Sequence, residues 1–316
     1  MNIVYAGTPQ FAIAPLRAIL ESGFTVVGVI TQEDKPQGRK GILTPPPVKQ
    51  FALEHNIPVI QPNKIRDEIS AVQALGGDIL ITCAYGQILT QAVLDCFERG
   101  VWNIHAGLLP KYRGASPMQS CLLAGEKETG VSIMKTELGL DCGDILLVEK
   151  TEILPSETCG ELAERLSLLG AQAVVKGLQA LACGDYTLTP QGTDGVQVVR
   201  KIQKEQAKID FTQSVESIVN LVRAMNPDPV AYSVLDGNKV NVYRAEKAIL
   251  NDEESEYALT AQYGEVLSSN MKRGLLVKCQ GGAVKLTQVQ AAGGKVISGN
   301  DFINGRKAQK GQVLGC

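Results

Sequence analysis

The chain has 316 residues, 44% apolar and 20% charged, which is enough for two domains with full cores and excludes a disordered or fibrous protein. Its net charge of −2 hides an asymmetry, because residues 271–316 carry eight cations against Asp301 alone, a local charge of +7 on an otherwise acidic protein. The eight cysteines show no C-x-x-C pairing and neither histidine lies close to one, so reduced thiols are expected and no metal site.

Taken in order, residues 3–6, 26–31, 59–60, 78–83 and 101–104 read as short apolar strands, and helical stretches such as 16–22 and 47–55 separate them. That alternation is the βαβ rhythm of a Rossmann-like parallel sheet. The first residues are already strand material rather than a leader, and no stretch reads as a membrane span, so a cytoplasmic protein is expected. Ala6-Gly7-Thr8-Pro9 closes the first strand. One glycine is not the dinucleotide fingerprint, which argues against a nicotinamide enzyme. Either Pro9 or Pro15 could open the following helix.

Strands are expected again at 131–136 and 145–153, and Thr158-x-x-Glu161 is a capping box for a helix ending near Gly184. This gives a first domain over residues 1–188 and a connecting segment over 189–207. The rest, 208–316, starts with a helix around 215–222 that Pro227-Asp228-Pro229 stops. After it come strands only. Asp236-Gly237 is a hairpin signal, and five short strands in sequence fit a small OB-like β-barrel. The acidic run 252–256 reads as a solvated loop insertion.

Strand alternation puts Asn103 and His105 on one face at the carboxyl end of the strand over 101–104, where open α/β sheets bind their ligands. Between two later strands, Gly139-Leu140-Asp141-Cys142-Gly143-Asp144 offers two carboxylates framed by glycines. An amide, an imidazole and one of these carboxylates are the parts needed for acyl transfer through an oxyanion, and no nucleophilic serine or cysteine is required. His55, at a helix-to-strand turn, is expected to be structural.

Three blocks now become recognisable: Asn103-Ile104-His105-Ala106-Gly107-Leu108-Leu109-Pro110-Lys111-Tyr112-Arg113-Gly114, Glu128-Thr129-Gly130-Val131-Ser132, and 139–144. In this order they resemble the folate-dependent formyltransferases. The likeness extends through 31–39 and 208–227, which resemble the tRNA-directed members, so it covers essentially the whole chain. It implies Asn103, His105 and Asp141 as catalytic residues, with Asp144 as second choice. Gly107, Leu108, Leu109 and Pro110 are implied to line the site of 10-formyltetrahydrofolate, with Gly107 where the family usually has serine. The loop carrying Lys35, Arg39 and Lys40 is implied to reach initiator methionyl-tRNA, its cations suited to phosphates.

The reaction implied is formylation of the methionyl α-amine, with Asn103 and a protonated His105 as oxyanion donors. A monomer that needs no membrane is expected. A sugar-nucleotide formyltransferase or a formyltetrahydrofolate hydrolase would share the catalytic domain, but the basic barrel and the Arg39 loop argue against both. A non-catalytic RNA-binding protein would have lost part of the triad, which is complete.

Overall fold

The computed structural model describes residues 1–38, 41–268, 270–305 and 307–315. The chain forms two compact units, residues 1–117, 128–152 and 163–199 in the first and 118–127, 153–162 and 200–316 in the second.

In the first unit, β1 (Asn2–Gly7), β2 (Thr25–Ile30), β3 (Val59–Ile60), β4 (Ile79–Cys83), β5 (Val101–His105), β6 (Glu128–Lys135) and β7 (Ile145–Glu152) make one sheet in the order β7-β6-β5-β4-β1-β2-β3. Neighbours from β5 through β3 run parallel, and β6 and β7 are antiparallel additions at the β5 edge. Residues Ile3 to Ala6 of β1 are fully buried, as a parallel strand covered on both faces requires. The chain moves outward from β1 to β2 and β3, then returns to place β4 on the other side of β1. That reversal is a topological switch point, and open α/β sheets bind ligands beyond the carboxyl ends of the strands beside it.

The helices are α1 (Ile13–Glu21), α2 (Pro47–Glu54), α3 (Ile69–Ala74), α4 (Gln91–Leu94), α5 (Pro117–Leu123) and α6 (Cys159–Cys183). Of the two candidate prolines, Pro9 caps a 3-10 turn over Gln10–Ala12, and Pro15 lies in the first turn of α1. Helix α6 starts on the expected capping box, with the Glu161 amide donating to Thr158 Oγ1 and the Thr158 amide to Glu161 Oε2. By length and composition α6 could cross a membrane, although no stretch was expected to read as a span, and in this fold Leu166, Ala173, Val174 and Leu178 of α6 are buried.

The segment expected as a connection is not idle. Thr189 bridges Ile145, and Val198–Val199 pairs in parallel with Arg113–Gly114, so residues up to 199 pack within the first unit.

The second unit contains α7 (Val215–Ala224), β8 (Ala231–Leu235), β9 (Asn238–Lys247), α8 (Asp252–Thr260), β10 (Val266–Ser268), β11 (Leu275–Cys279), β12 (Gly282–Ala291), β13 (Ile297–Ser298) and α9 (Gly299–Asn304). Its strands form an antiparallel sheet in the order β8-β9-β12-β11-β10, with β13 beside β12. Asp236 and Gly237 both take positive φ, the turn that the hairpin signal required. Val313 bridges Glu265 at the start of β10 while Leu314 bridges Leu235 of β8, so the tail joins the two edge strands.

The expectation of strands only fails here, at α8 and at α9. Residues 252–256 are helix, not loop, because Asn251 and Glu254 form a reciprocal capping box and the acids fall in the first turn, where the helix dipole favours them. The run has no apolar periodicity to reveal it. It also neutralises part of the basic segment, since Arg273 donates to Glu254 at 2.7 Å and Lys310 lies 3.6 Å from Glu253.

Candidate active site

The site begins with sheet register. Asn103 of β5 stands opposite Thr82 of β4 and Met134 of β6, and His105 opposite Ser132. Thr82 Oγ1 donates to Asn103 Oδ1 at 2.8 Å. Because the oxygen of that amide is engaged, its nitrogen is left as a donor without a protein partner among the described residues.

His105 is 4% exposed, with Nε2 3.1 Å from the Tyr112 carbonyl and Nδ1 3.5 Å from Asp141 Oδ2. Burial pushes its pKa below the usual histidine value, while the Asp141 charge and then the Tyr112 carbonyl pull the other way. The imidazole is therefore neutral near pH 7, with the Nε2 hydrogen assigned to the bond with the Tyr112 carbonyl. The protonated His105 expected from sequence does not describe the free site, because sequence conveys the charged neighbour and not the desolvation.

Asp141 comes from the loop between β6 and β7 and adopts a positive φ of 46°. Its Oδ2 accepts the Gly114 amide at 2.8 Å. Asp144, the second choice, instead continues the ladder, its carbonyl accepting the Lys135 amide at 2.8 Å. The structure thus brings the His105 ring and the Asp141 carboxylate together, with Asn103 two residues before His105 on the same strand, and no contact joins Asp144 to them among the described residues.

Gly107 to Pro110 run directly beyond β5. Ser132 Oγ donates to the Gly107 carbonyl at 2.8 Å and accepts the Leu109 amide at 3.3 Å, while Leu109 packs on Met134 and Ile145. A Cβ built on Gly107 would lie 3.1 Å from His105 Nε2, so this loop passes close to the imidazole. Leu138 and Leu140, before the Asp141 turn, and Ile88, after β4, are exposed apolar side chains on loops.

Lys35 is exposed on a hairpin formed by Lys35–Gln37 and Ile42–Thr44. Arg39 and Lys40 lie outside the described residues. His55 bonds the Phe51 carbonyl at 2.8 Å and stacks on that ring, a structural role as expected. No group of three metal-ligating side chains converges among the described residues. Sequence reasoning missed Thr82, Gly114 and Gln191. Thr82 alone left a trace, as the polar residue near the end of an apolar strand.

An amide, a buried imidazole and a carboxylate at the carboxyl edge of a parallel sheet, with no serine or cysteine on the imidazole among the described residues, fit the class of enzyme that passes an acyl group directly between two bound substrates. Comparison with known proteins agrees and is more specific. Residues 1–178 match the formyl transferase model and 201–307 the formyl transferase C-terminal domain. The methionyl-tRNA formyltransferase of Stutzerimonas stutzeri (strain A1501) is 42% identical over 327 residues, covering 100% of this chain and 98% of its own. That of Neisseria meningitidis serogroup C (strain 053442) is 42% identical over 318 residues, covering 99% of this chain and 100% of its own. Among solved structures, the N-formyltransferase from Helicobacter canadensis, in complex with folinic acid and dTDP-3-aminofucose, superposes with a TM-score of 0.67 at 18% identity, over 89% of this chain and 97% of that one, a likeness of fold. The chain belongs to the formyl transferase family and, within it, to the methionyl-tRNA formyltransferases.

Proposed function

We propose that this enzyme transfers the formyl group from N10 of 10-formyltetrahydrofolate to the α-amino group of initiator methionyl-tRNA, giving formylmethionyl-tRNA for translation initiation. The observation that carries the reading is the assembly of Asn103, His105 and Asp141 at one sheet edge in a chain that matches such enzymes end to end. A free α-amine has a pKa of about 7.7–8.0, so a neutral fraction is available to attack the formyl carbon. Charge then builds on the formyl oxygen, and the Asn103 amide, held by Thr82, donates to it. His105 accepts the proton that the attacking nitrogen must lose, Asp141 supports the resulting imidazolium, and His105 returns the proton to N10 as the C–N10 bond breaks. Burial serves this role, because an imidazole kept neutral has a place for the proton.

The donor fits residues 107–110. Their backbone is pinned by Ser132, Leu109 anchors them, and Ile88, Leu138 and Leu140 offer apolar surface for a flat ring system. The tRNA is held by charge. Lys35, with Arg39 and Lys40 of the same loop, contacts phosphates of the acceptor end, and the second unit adds Lys272, Lys295 and Lys307, all exposed and in no ion pair among the described residues. The tail that joins β8 to β10 supports an OB-like barrel for this unit. We read the enzyme as a cytoplasmic monomer.

The test offers the enzyme and its folate donor two acceptors, charged initiator tRNA and an amino-sugar nucleotide. Formylmethionine released on deacylation supports the assignment, and formylation of the sugar alone overturns it.

A further inference from the structure

Asp141 is the one member of the catalytic set that no strand carries. Its backbone is left-handed, a conformation that aspartate tolerates better than most residues with a Cβ, and another side chain fixes the turn. Gln191, from the stretch after α6, does so. Its Nε2 donates to the Asp141 carbonyl at 2.9 Å and to the Gly143 carbonyl at 2.7 Å, spending both amide hydrogens on the turn. Its Oε1 accepts Arg113 Nε at 3.0 Å. Arg113 and Gly114 pair in turn with Val198–Val199, so closely that a Cβ on Gly114 would lie 2.2 Å from the Val199 carbonyl, and the Gly114 amide holds the Asp141 carboxylate. Backbone and carboxylate of Asp141 are thus fixed by one lacing, from residues that read in sequence as connection.

We infer that Gln191 is a positioning residue for formyl transfer, acting through Asp141 to set its carboxylate against His105. The inference rests on Asn103, His105 and Asp141 being the chemical set. A clamp that served stability alone would leave the imidazole indifferent to its loss. A clamp that positions Asp141 sets how strongly the carboxylate opposes the desolvation of His105, and that quantity can be measured. The groups facing His105 are the Asp141 carboxylate and the Tyr112 carbonyl.

The experiment uses full-length Gln191→Met, which keeps the volume and removes all three bonds. Turnover should fall by about 10- to 10²-fold, as displacements near 1 Å do, with KM for donor and tRNA little changed. The chain has two histidines, so in a His55→Gln background the His105 ring can be titrated alone by NMR. Its pKa should move down in the Gln191 variant. Unchanged turnover overturns the inference, as does a loss of turnover with the His105 titration unmoved. Gln191→Ala, which removes the same three bonds without adding a charge, gives the same readings if the methionine variant does not fold. His105→Ala, run in parallel, separates the two ideas. Its full activity would refute the catalytic set itself, whereas an inactive His105→Ala beside silent Gln191 variants would refute the positioning alone.

Discussion

The candidate active site has two halves held by different means. Asn103 and His105 ride on β5, between β4 and β6, where register places them to within the tolerance of a sheet, and burial then sets the proton affinity of the imidazole. Asp141 rides on a loop in a left-handed conformation and is placed by side-chain and main-chain bonds from Gln191 and Gly114. The strand half follows from forming the core at all. The loop half needs dedicated partners, so its geometry can be altered with little cost to the fold. In the proposed mechanism the proton acceptor and the oxyanion donor are therefore on the strand, and the charge that tunes them is on the loop.

The strand half should break hardest. His105→Ala should lower turnover by about 10²–10⁴ with a normal melting temperature near pH 7, since general acid–base groups contribute on that scale. Asn103→Ala should cost about 10²–10³ as one lost oxyanion donor. A correctly folded variant of either with near-normal formyl transfer would remove that residue from the chemistry. The loop half should break less. Asp141→Asn leaves an acceptor for the Gly114 amide, so the turn survives, while the charge that supports imidazolium disappears. Turnover should drop by about 10–10², and the His105 titration should move to lower pH because the largest opposing influence on its desolvation is gone. A titration that stays put would mean that the 3.5 Å approach of Asp141 does not tune the ring.

The same division explains what could be read in advance. The strand half was legible because alternation along 101–105 fixes which side chains share a face, and a short apolar strand has one plausible place in a parallel sheet. Choosing Asp141 over Asp144 was not derivable from spacing. It came from family resemblance, and the physical reason is that Asp144 already belongs to the β6–β7 ladder while Asp141 sits on the turn. Thr82 and Gln191 left almost no trace, because both act across the fold on partners distant in sequence. The helix over Asp252–Thr260 was hidden for a local reason, since a cap and charges build it rather than an apolar stripe. The +7 of the last segment overstated the free charge, because ion pairs with Glu246, Glu253 and Glu254 are invisible to a count along the chain.

A smaller effect concerns pH. The folded pKa of His105 lies below its ordinary 6.5, so as pH falls the unfolded chain takes up the proton first. His105 therefore stops favouring the fold as pH drops through about 6.5, and the loss levels off once the folded pKa is passed. The carboxylates held low by partners, Asp34, Asp210, Glu161 and Glu254, lose their contributions only below their ordinary values of 3.8 to 4.5. Between pH 7 and 5 the melting temperature of the wild type should fall more than that of His105→Gln. Parallel curves would show that burial of this ring has no consequence for stability, and the strand half would lose its electrostatic part.

The smallest expected effect probes the boundary between the halves, at Gly107. Its φ is not left-handed, so serine meets no backbone barrier there. The new Cβ would lie 3.1 Å from His105 Nε2 and 3.2 Å from Pro117 Cβ, close enough that one neighbour must yield by a few tenths of an ångström. The Gly107 backbone cannot easily retreat, because Ser132 holds its carbonyl at 2.8 Å. His105 is held by the sheet, the Tyr112 carbonyl and Asp141, whereas the buried Pro117 ring makes no hydrogen bond, so the proline should give way. Gly107→Ser should then fold normally and keep turnover within a factor of about three. It should bind the folate donor more tightly, by about 0.5–1.5 kcal/mol for one added hydrogen bond. Donor titration and the transfer rate measure both. If turnover drops while the His105 titration shifts, the imidazole has moved instead, and the strand half is as adjustable as the loop half, which would undo the distinction between them.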